Sequence, residues 1–204
     1  MAHVNLADWV DCTEVEGPGK RSALWVQGCT IRCPGCCNAH MFDLVPKRIV
    51  DTREVVGWIE EAHKRHQTEG VTFLGGEPML QARGLADVAA GCRELDLSVV
   101  VFTGFTLEHL RKRPMPGVMD LIEMTDLLID GPYIAEQPET ERNWVGSTNQ
   151  RFHFLTDRYR PGIEVDPRYP HGFELRVFGD GRLRSSGWPS GIGNRISDDT
   201  SLSQ

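Results

Sequence analysis

Four of the six cysteines fall within nine positions, in the stretch "QGCTIRCPGCCNAHMF" (27–42). Cysteines this dense are bridged, metallated or reactive. Cys29, Cys33 and Cys36 are spaced C-x3-C-x2-C, and three chemistries compete for that spacing. Structural zinc wants a closed tetrahedral set, usually two separated pairs. No second pair exists, and His40 is the one histidine near enough to complete a set. A redox C-x-x-C in "CPGC" is the second reading, but it leaves Cys29 without a task. The third is an iron–sulfur cluster. Such clusters normally take four thiolates. Three on one loop leave one iron open, and an open coordination position is what a catalytic metal site requires. The local spacing favours this third reading over zinc.

The elements that must position these cysteines follow from the pattern. The segment before them reads as a strand, a turn at Gly17–Pro18–Gly19, and a second strand from Ser22 to Gln27 that delivers the chain to Gly28. Asp51 and Glu54 form the pattern of a capping box, and Val55, Ile59 and Ala62 follow at helical spacing. "VTFL" (71–74) is a short strand ending at Gly75–Gly76. A helix is expected from Leu80 to Leu95, with Leu85, Val88, Ala89, Cys92 and Leu95 on one face. "LSVVVF" (97–102) ends at Thr103–Gly104. A short helix at 106–113 stops before Pro114, and "DLLID" (126–130) ends at Gly131–Pro132. Strand and helix alternate, so the sheet is expected to be mostly parallel. In such folds ligands bind at the carboxyl ends of the strands. Cys29–Cys36, Gly75–Glu77, Thr103–Gly104 and Asp130–Gly131 are therefore expected to share one rim.

Composition narrows the class. The 204 residues are 40% hydrophobic, enough for one domain with a full core. The net charge of −7 and the absence of a basic run argue against nucleic-acid binding. The first twenty residues carry no signal-like apolar run, and no stretch approaches the roughly 18 apolar residues of a membrane span. A cytoplasmic protein is expected, in a compartment where clustered thiols serve metals or catalysis rather than disulfides. Beyond about residue 155 the character changes. "GFELRVFGDGRLRSSGW" reads as two strands around Asp180–Gly181. The end, rich in Ser, Gly and Asp, is expected to be a mobile tail.

Taken together, C-x3-C-x2-C and the downstream "GGEP" (75–78) resemble the radical S-adenosylmethionine (SAM) superfamily. "GPGKRSALWVQGC", "VTFLGGEPML", "VFTGF", "DLLIDGPY" and "WVGSTNQRFHFL" follow in the order seen in the small activases of the anaerobic ribonucleotide reductase type. The resemblance spans about residues 1–157. It implies a partial (β/α)6 TIM-type barrel, the radical SAM core, over 1–157. A C-terminal β extension would cover 158–188 and a flexible tail 189–204.

The resemblance also implies one [4Fe–4S] cluster on Cys29, Cys33 and Cys36, with SAM on the open iron. Reductive cleavage of SAM would give a 5′-deoxyadenosyl radical. Gly75, Gly76 and Glu77 match the motif that contacts the SAM amino group. Thr103 and Gly104 are expected to line the ribose or adenine site. Asp130, Ser147 and Asn149 are further candidates for the same ligand. The implied partners are a glycyl-radical enzyme, activated by hydrogen abstraction, and a one-electron donor of flavodoxin or ferredoxin type. A radical SAM enzyme acting on a small molecule or a ribosomal peptide is the alternative.

Two departures from the activases stand out. Cys37 occupies a place where they commonly have an aromatic residue, and it is expected to pack as an inert small hydrophobe. Pro132 stands where several carry lysine. Cys12 and Cys92 are isolated, and no second cluster is expected.

Overall fold

The computed structural model describes residues 2–169, 172–177, 179, 181 and 183–187. A hairpin opens the chain: β1 (His3–Thr13) pairs antiparallel with β2 (Arg21–Val26), around the Gly17–Gly19 turn. The cysteine loop follows β2 and leads to β3 (Arg48–Asp51), a short edge strand on β1 that the sequence pattern does not reveal. Then come α1 (Thr52–His66), β4 (Gly70–Gly75), α2 (Ala82–Glu94), β5 (Ser98–Thr103), α3 (Leu107–Lys112), α4 (Val118–Met124) and β6 (Leu127–Asp130). The strand β7 (Arg151–Phe154) returns antiparallel on β6.

The result is a seven-stranded sheet in the order β3-β1-β2-β4-β5-β6-β7. Its centre, β2-β4-β5-β6, is parallel, and both flanks are antiparallel. In place of the expected six strand–helix units, the described residues form an open, parallel-rich α/β sheet with four parallel strands and four α-helices, and β3 and β7 do not pair. The pair β8 (Phe173–Val177) and β9 (Leu183–Gly187) forms a separate two-stranded sheet, as the hairpin pattern implies. Asp180 of its turn and the tail 189–204 lie outside the described residues. Among the described residues no helix is long and apolar enough to cross a membrane.

Strand alternation divides this sheet into two unlike faces. Leu24, Val26, Phe73, Val99, Val101 and Leu128 point to one face, where Ile59 of α1, Leu85 and Val88 of α2, Leu110 of α3 and Leu121 of α4 cover them. Each such side chain, fully buried, contributes about 1.5–3 kcal/mol. The opposite face presents Ala23, Trp25 and Leu74 to Met41 of the cysteine loop, and Val100, Leu127 and Ile129 to Val145. Among the described residues the α-helices occupy one face only, which leaves the other to the cysteine loop and the connection after β6.

The helix ends follow local chemistry. The Asp51 carboxylate accepts from the Arg53 amide (2.9 Å) and caps α1, without the reciprocal bond from Glu54 that a capping box requires. A single turn of 3-10 helix, Pro78–Gln81, precedes α2, so the helix proper starts two residues later than its apolar periodicity implies.

At the end of the sheet away from the cysteines, Arg21 is completely buried. Its guanidinium donates to the Thr72 hydroxyl, to the carbonyls of Pro18 and Val71, and to the side chains of Ser98 and Tyr159. It ties the β1–β2 turn to β4, β5 and the segment after β7. Removing it leaves several buried acceptors without donors. Arg21→Ala is therefore expected to lower unfolding stability by about 3 kcal/mol, read by chemical denaturation.

Candidate active site

The site begins where β2 meets β4. The Gly75 backbone lies at φ +107°, and a Cβ there would come within 2.6 Å of the Val26 nitrogen. A Cβ on Gly76 would meet the Gly28 carbonyl at 2.3 Å. The two glycines thus admit the backbone at and just after the end of β2, and both also line the cavity. Gly76 and Glu77 amides donate to the Val26 and Gly28 carbonyls, both at 2.8 Å. Gly28 and Cys29 in turn donate to the carbonyls of Met41 and Phe42. The cysteine loop is thereby closed on itself and fastened to the end of β4.

Glu77 is the polar centre of this junction. It is buried, and its carboxylate accepts from the amides of Met79 (2.9 Å) and Gly104 (2.9 Å) and the hydroxyl of Thr103 (2.7 Å). One side chain therefore caps the Pro78–Gln81 turn and joins the ends of β4 and β5. Burial outweighs these three donors and pushes its pKa up to about 7.

Cys29, Cys33 and Cys36 all line one cavity of about 550 Å³, together with Gly75, Gly76, Glu77, Thr103 and Gly104. That volume falls in the range of small-molecule and cofactor sites. All six cysteines are free. Among the described residues no three His, Cys, Asp or Glu side chains converge tightly enough to hold a single metal ion. The three thiols all stand on the wall of this one cavity.

Their surroundings differ. Cys29 is buried, while Cys33 and Cys36 are half-buried. Burial raises the Cys33 thiol, with the Tyr133 amide opposing it. A hydrogen bond from Cys37 is the largest influence on Cys36 and holds its thiol down to about 6. Cys37, giving that bond, is raised in turn. The expectation of inert packing for Cys37 is corrected here: the residue is exposed and lines the cavity. Cys92 does pack inertly, buried on the apolar face of α2.

Three expected site residues do not line the cavity. Asp130 is fully buried, with its carboxylate accepting from the Leu107 amide (2.7 Å) at the start of α3 and from Arg151 (2.6 and 3.0 Å). His153 Nε2 lies 2.9 Å from the same carboxylate. The Ser147 hydroxyl accepts from the Ile134 amide, and the Asn149 amide group donates to the Pro132 carbonyl. These residues hold the β6–β7 connection in shape. Tertiary partners, invisible in the local sequence, turn Asp130 away from the rim that its strand end implies.

Other parts of the wall escape sequence reading. Trp25 and Phe102 reach it because strand alternation puts them on the face without helices. Glu16, from the β1–β2 turn, borders it too, and its carboxylate accepts from the Gly187 amide of β9 (2.6 Å). Burial pushes Glu16 up to about 7 as well.

With this geometry in place, comparison with known proteins assigns the class. A family model described as a 4Fe-4S single cluster domain matches residues 15–153. The anaerobic ribonucleoside-triphosphate reductase-activating protein of Vibrio cholerae is 32% identical over 149 residues, covering 70% of this chain and 92% of that protein. The proteins of the same name from Salmonella typhimurium and Escherichia coli K12 are each 30% identical, over 151 and 153 residues. Each match covers 69% of this chain and 92% of the relative. The chain belongs to this 4Fe-4S single cluster family, alongside the reductase-activating proteins.

Two expectations follow. Asp130→Asn removes a charge that holds the start of α3 and pairs Arg151, so it should cost about 3 kcal/mol of stability, as read by chemical denaturation. The second concerns Glu77 in the cluster-free chain. The unfolded chain releases this proton near the ordinary 4.5, the folded chain near 7, so the folded state binds the proton more tightly. Its contribution to stability is full below 4.5 and is lost as pH rises to about 7. The stability of Glu77→Gln relative to the native chain should therefore rise across that window and level off above it.

Proposed function

We propose that this chain is a radical SAM enzyme that activates a glycyl-radical enzyme of the anaerobic ribonucleotide reductase kind. The observation that carries the reading is the meeting of Cys29, Cys33 and Cys36 with Gly75–Glu77 and Thr103–Gly104 on one cavity wall. In this reading the three cysteines hold a [4Fe–4S] cluster and the remaining wall holds SAM. When bound, the cluster and SAM would supply, with one electron from an external donor, the 5′-deoxyadenosyl radical chemistry suited to abstracting a hydrogen atom from a partner glycine.

The chain's own residues have definable tasks. A carboxylate offers about four lone-pair sites. Three on Glu77 are taken by Met79, Thr103 and Gly104, which leaves one acceptor for an ammonium. An ammonium nearby also offsets the burial of the charge and keeps Glu77 ionised. Trp25 and Phe102 supply apolar wall that excludes water. Asp130, Ser147 and Asn149 act at a distance, by holding the loops behind the wall.

We read the parallel-rich sheet, with helices on one face only, as a shortened wall of the partial barrel that this chemistry uses elsewhere. Residues 1–157 form that core and 158–188 an extension upon it. An electron donor of flavodoxin or ferredoxin type in the cytoplasm completes the scheme.

Anaerobic reconstitution with iron and sulfide, then dithionite and SAM, is expected to yield 5′-deoxyadenosine. Cys33→Ala should lose both the cluster absorbance and the product. With the reductase added, an EPR doublet of a glycyl radical should appear. A cluster-loaded chain that yields no 5′-deoxyadenosine overturns the reading. Product without a doublet shifts the substrate to a small molecule or a peptide.

A further inference from the structure

The hairpin β8–β9 is mounted with its faces reversed. Opposed residues in an antiparallel pair share a face. Phe173, Leu175 and Val177 of β8 therefore stand on one face with Leu183 and Ser185 of β9. Glu174, Arg176 and Ser186 stand on the other. A small antiparallel sheet ordinarily buries its apolar face and wets its polar one. Here the polar face is fastened to the core. The Glu174 carboxylate accepts from the Glu14 amide (2.9 Å), Arg176 donates to the Cys12 carbonyl and pairs with Asp11 (3.4 Å), and Ser186 is buried. The apolar face is left outward, with Phe173, Leu175, Val177 and Leu183 at 37, 56, 70 and 65% exposure.

This face adjoins the active site. Phe173, Leu183 and Ser185 border the same cavity as the three cysteines, so the apolar stripe continues from the cavity mouth outward along β8. The hairpin lies beyond the family match, which ends at residue 153. The stripe from Phe173 to Val177 covers about 13 Å at the rise of a strand. That shape is long and narrow, unlike the compact enclosure a small ligand needs. Among the described residues β8 pairs with no strand but β9, so its outer backbone edge has no strand partner, whereas the β9 edge is held at Gly187 by Glu16. An apolar stripe beside an unpaired strand edge matches the chemistry of an extended polypeptide, whose alternate side chains and backbone it can both engage.

We propose that the apolar face of β8–β9 receives an extended apolar segment of the partner reductase and seats it over the cavity mouth. This rests on the activase reading above. Leu175 and Val177 lie outside the cavity wall, so changing them tests docking without touching the cofactor site.

The experiment titrates the reconstituted full chain with the anaerobic ribonucleoside-triphosphate reductase encoded in the same genome and follows glycyl-radical formation by EPR. It also follows 5′-deoxyadenosine released without reductase. The double variant Leu175→Ser/Val177→Ser is expected to raise the half-saturating reductase concentration about tenfold, equivalent to about 1.4 kcal/mol. Its 5′-deoxyadenosine release without reductase should match the native chain. Leu175→Met/Val177→Ile should restore native half-saturation. A native chain that radicalises the reductase, with a double variant that does so at unchanged half-saturation, overturns the docking surface and leaves the activase reading intact. A native chain that cleaves SAM yet never radicalises the reductase overturns the activase reading and the docking surface with it. A native dimer in sedimentation that the double variant disperses assigns the face to a second copy and overturns the proposal.

Discussion

The site depends on one close approach of two backbones. Gly75 and Gly76, at the end of β4, lie where any side chain would strike Val26 or Gly28 at the end of β2. Because both positions lack a Cβ, the amides of Gly76 and Glu77 reach the carbonyls of Val26, the last residue of β2, and of Gly28 just beyond it, and bring the cysteine loop against the strand end. Glu77 then extends the junction to β5 through Thr103 and Gly104. The motif "GGE" is thus first a clamp between three parallel strands. Its capacity to face a ligand follows from where that clamp leaves the remaining lone pair of the carboxylate.

The one-sided sheet supplies the space for this clamp. Helices α1 to α4 bury the apolar residues of one face. The residues of opposite parity face the cysteine loop and the connection after β6. A sheet with helices on both faces would have filled the region occupied by the cavity. Because strand side chains alternate, the same β-strands serve core and site with no change of element.

Buried charge is used structurally in several places. Arg21 binds the turn between β1 and β2 to the far end of the sheet, and Asp130 anchors α3 and Arg151. Each is fixed by partners distant in the chain. Glu16 and Glu174 do the same for the C-terminal hairpin, joining it to the β1–β2 turn by backbone amides. The hairpin's orientation is therefore set by polar bonds rather than by apolar burial, which is why its apolar face stays outward.

The sequence by itself determined what short-range rules govern. Short apolar runs marked β2, β4, β5 and β6, helical spacing marked α1 and α2, and the Gly-Pro-Gly turn marked the opening hairpin. The spacing of Cys29, Cys33 and Cys36, with Gly75–Glu77 downstream, pointed to the shared rim. The short strands β3 and β7 and the helix α4 were not legible, because their four to seven residues carry too little periodicity and exist through pairing or packing. Tertiary structure alone decided which strand-end residues meet the cavity. Thr103 meets it, while Asp130 is drawn into Leu107 and Arg151. It also placed Cys37, Glu16 and the hairpin at the cavity's edge. The physical reason is the same throughout. Periodicity is a property of neighbours in the chain, whereas hydrogen-bond partners and cavity walls are made by residues brought together only when the sheet assembles.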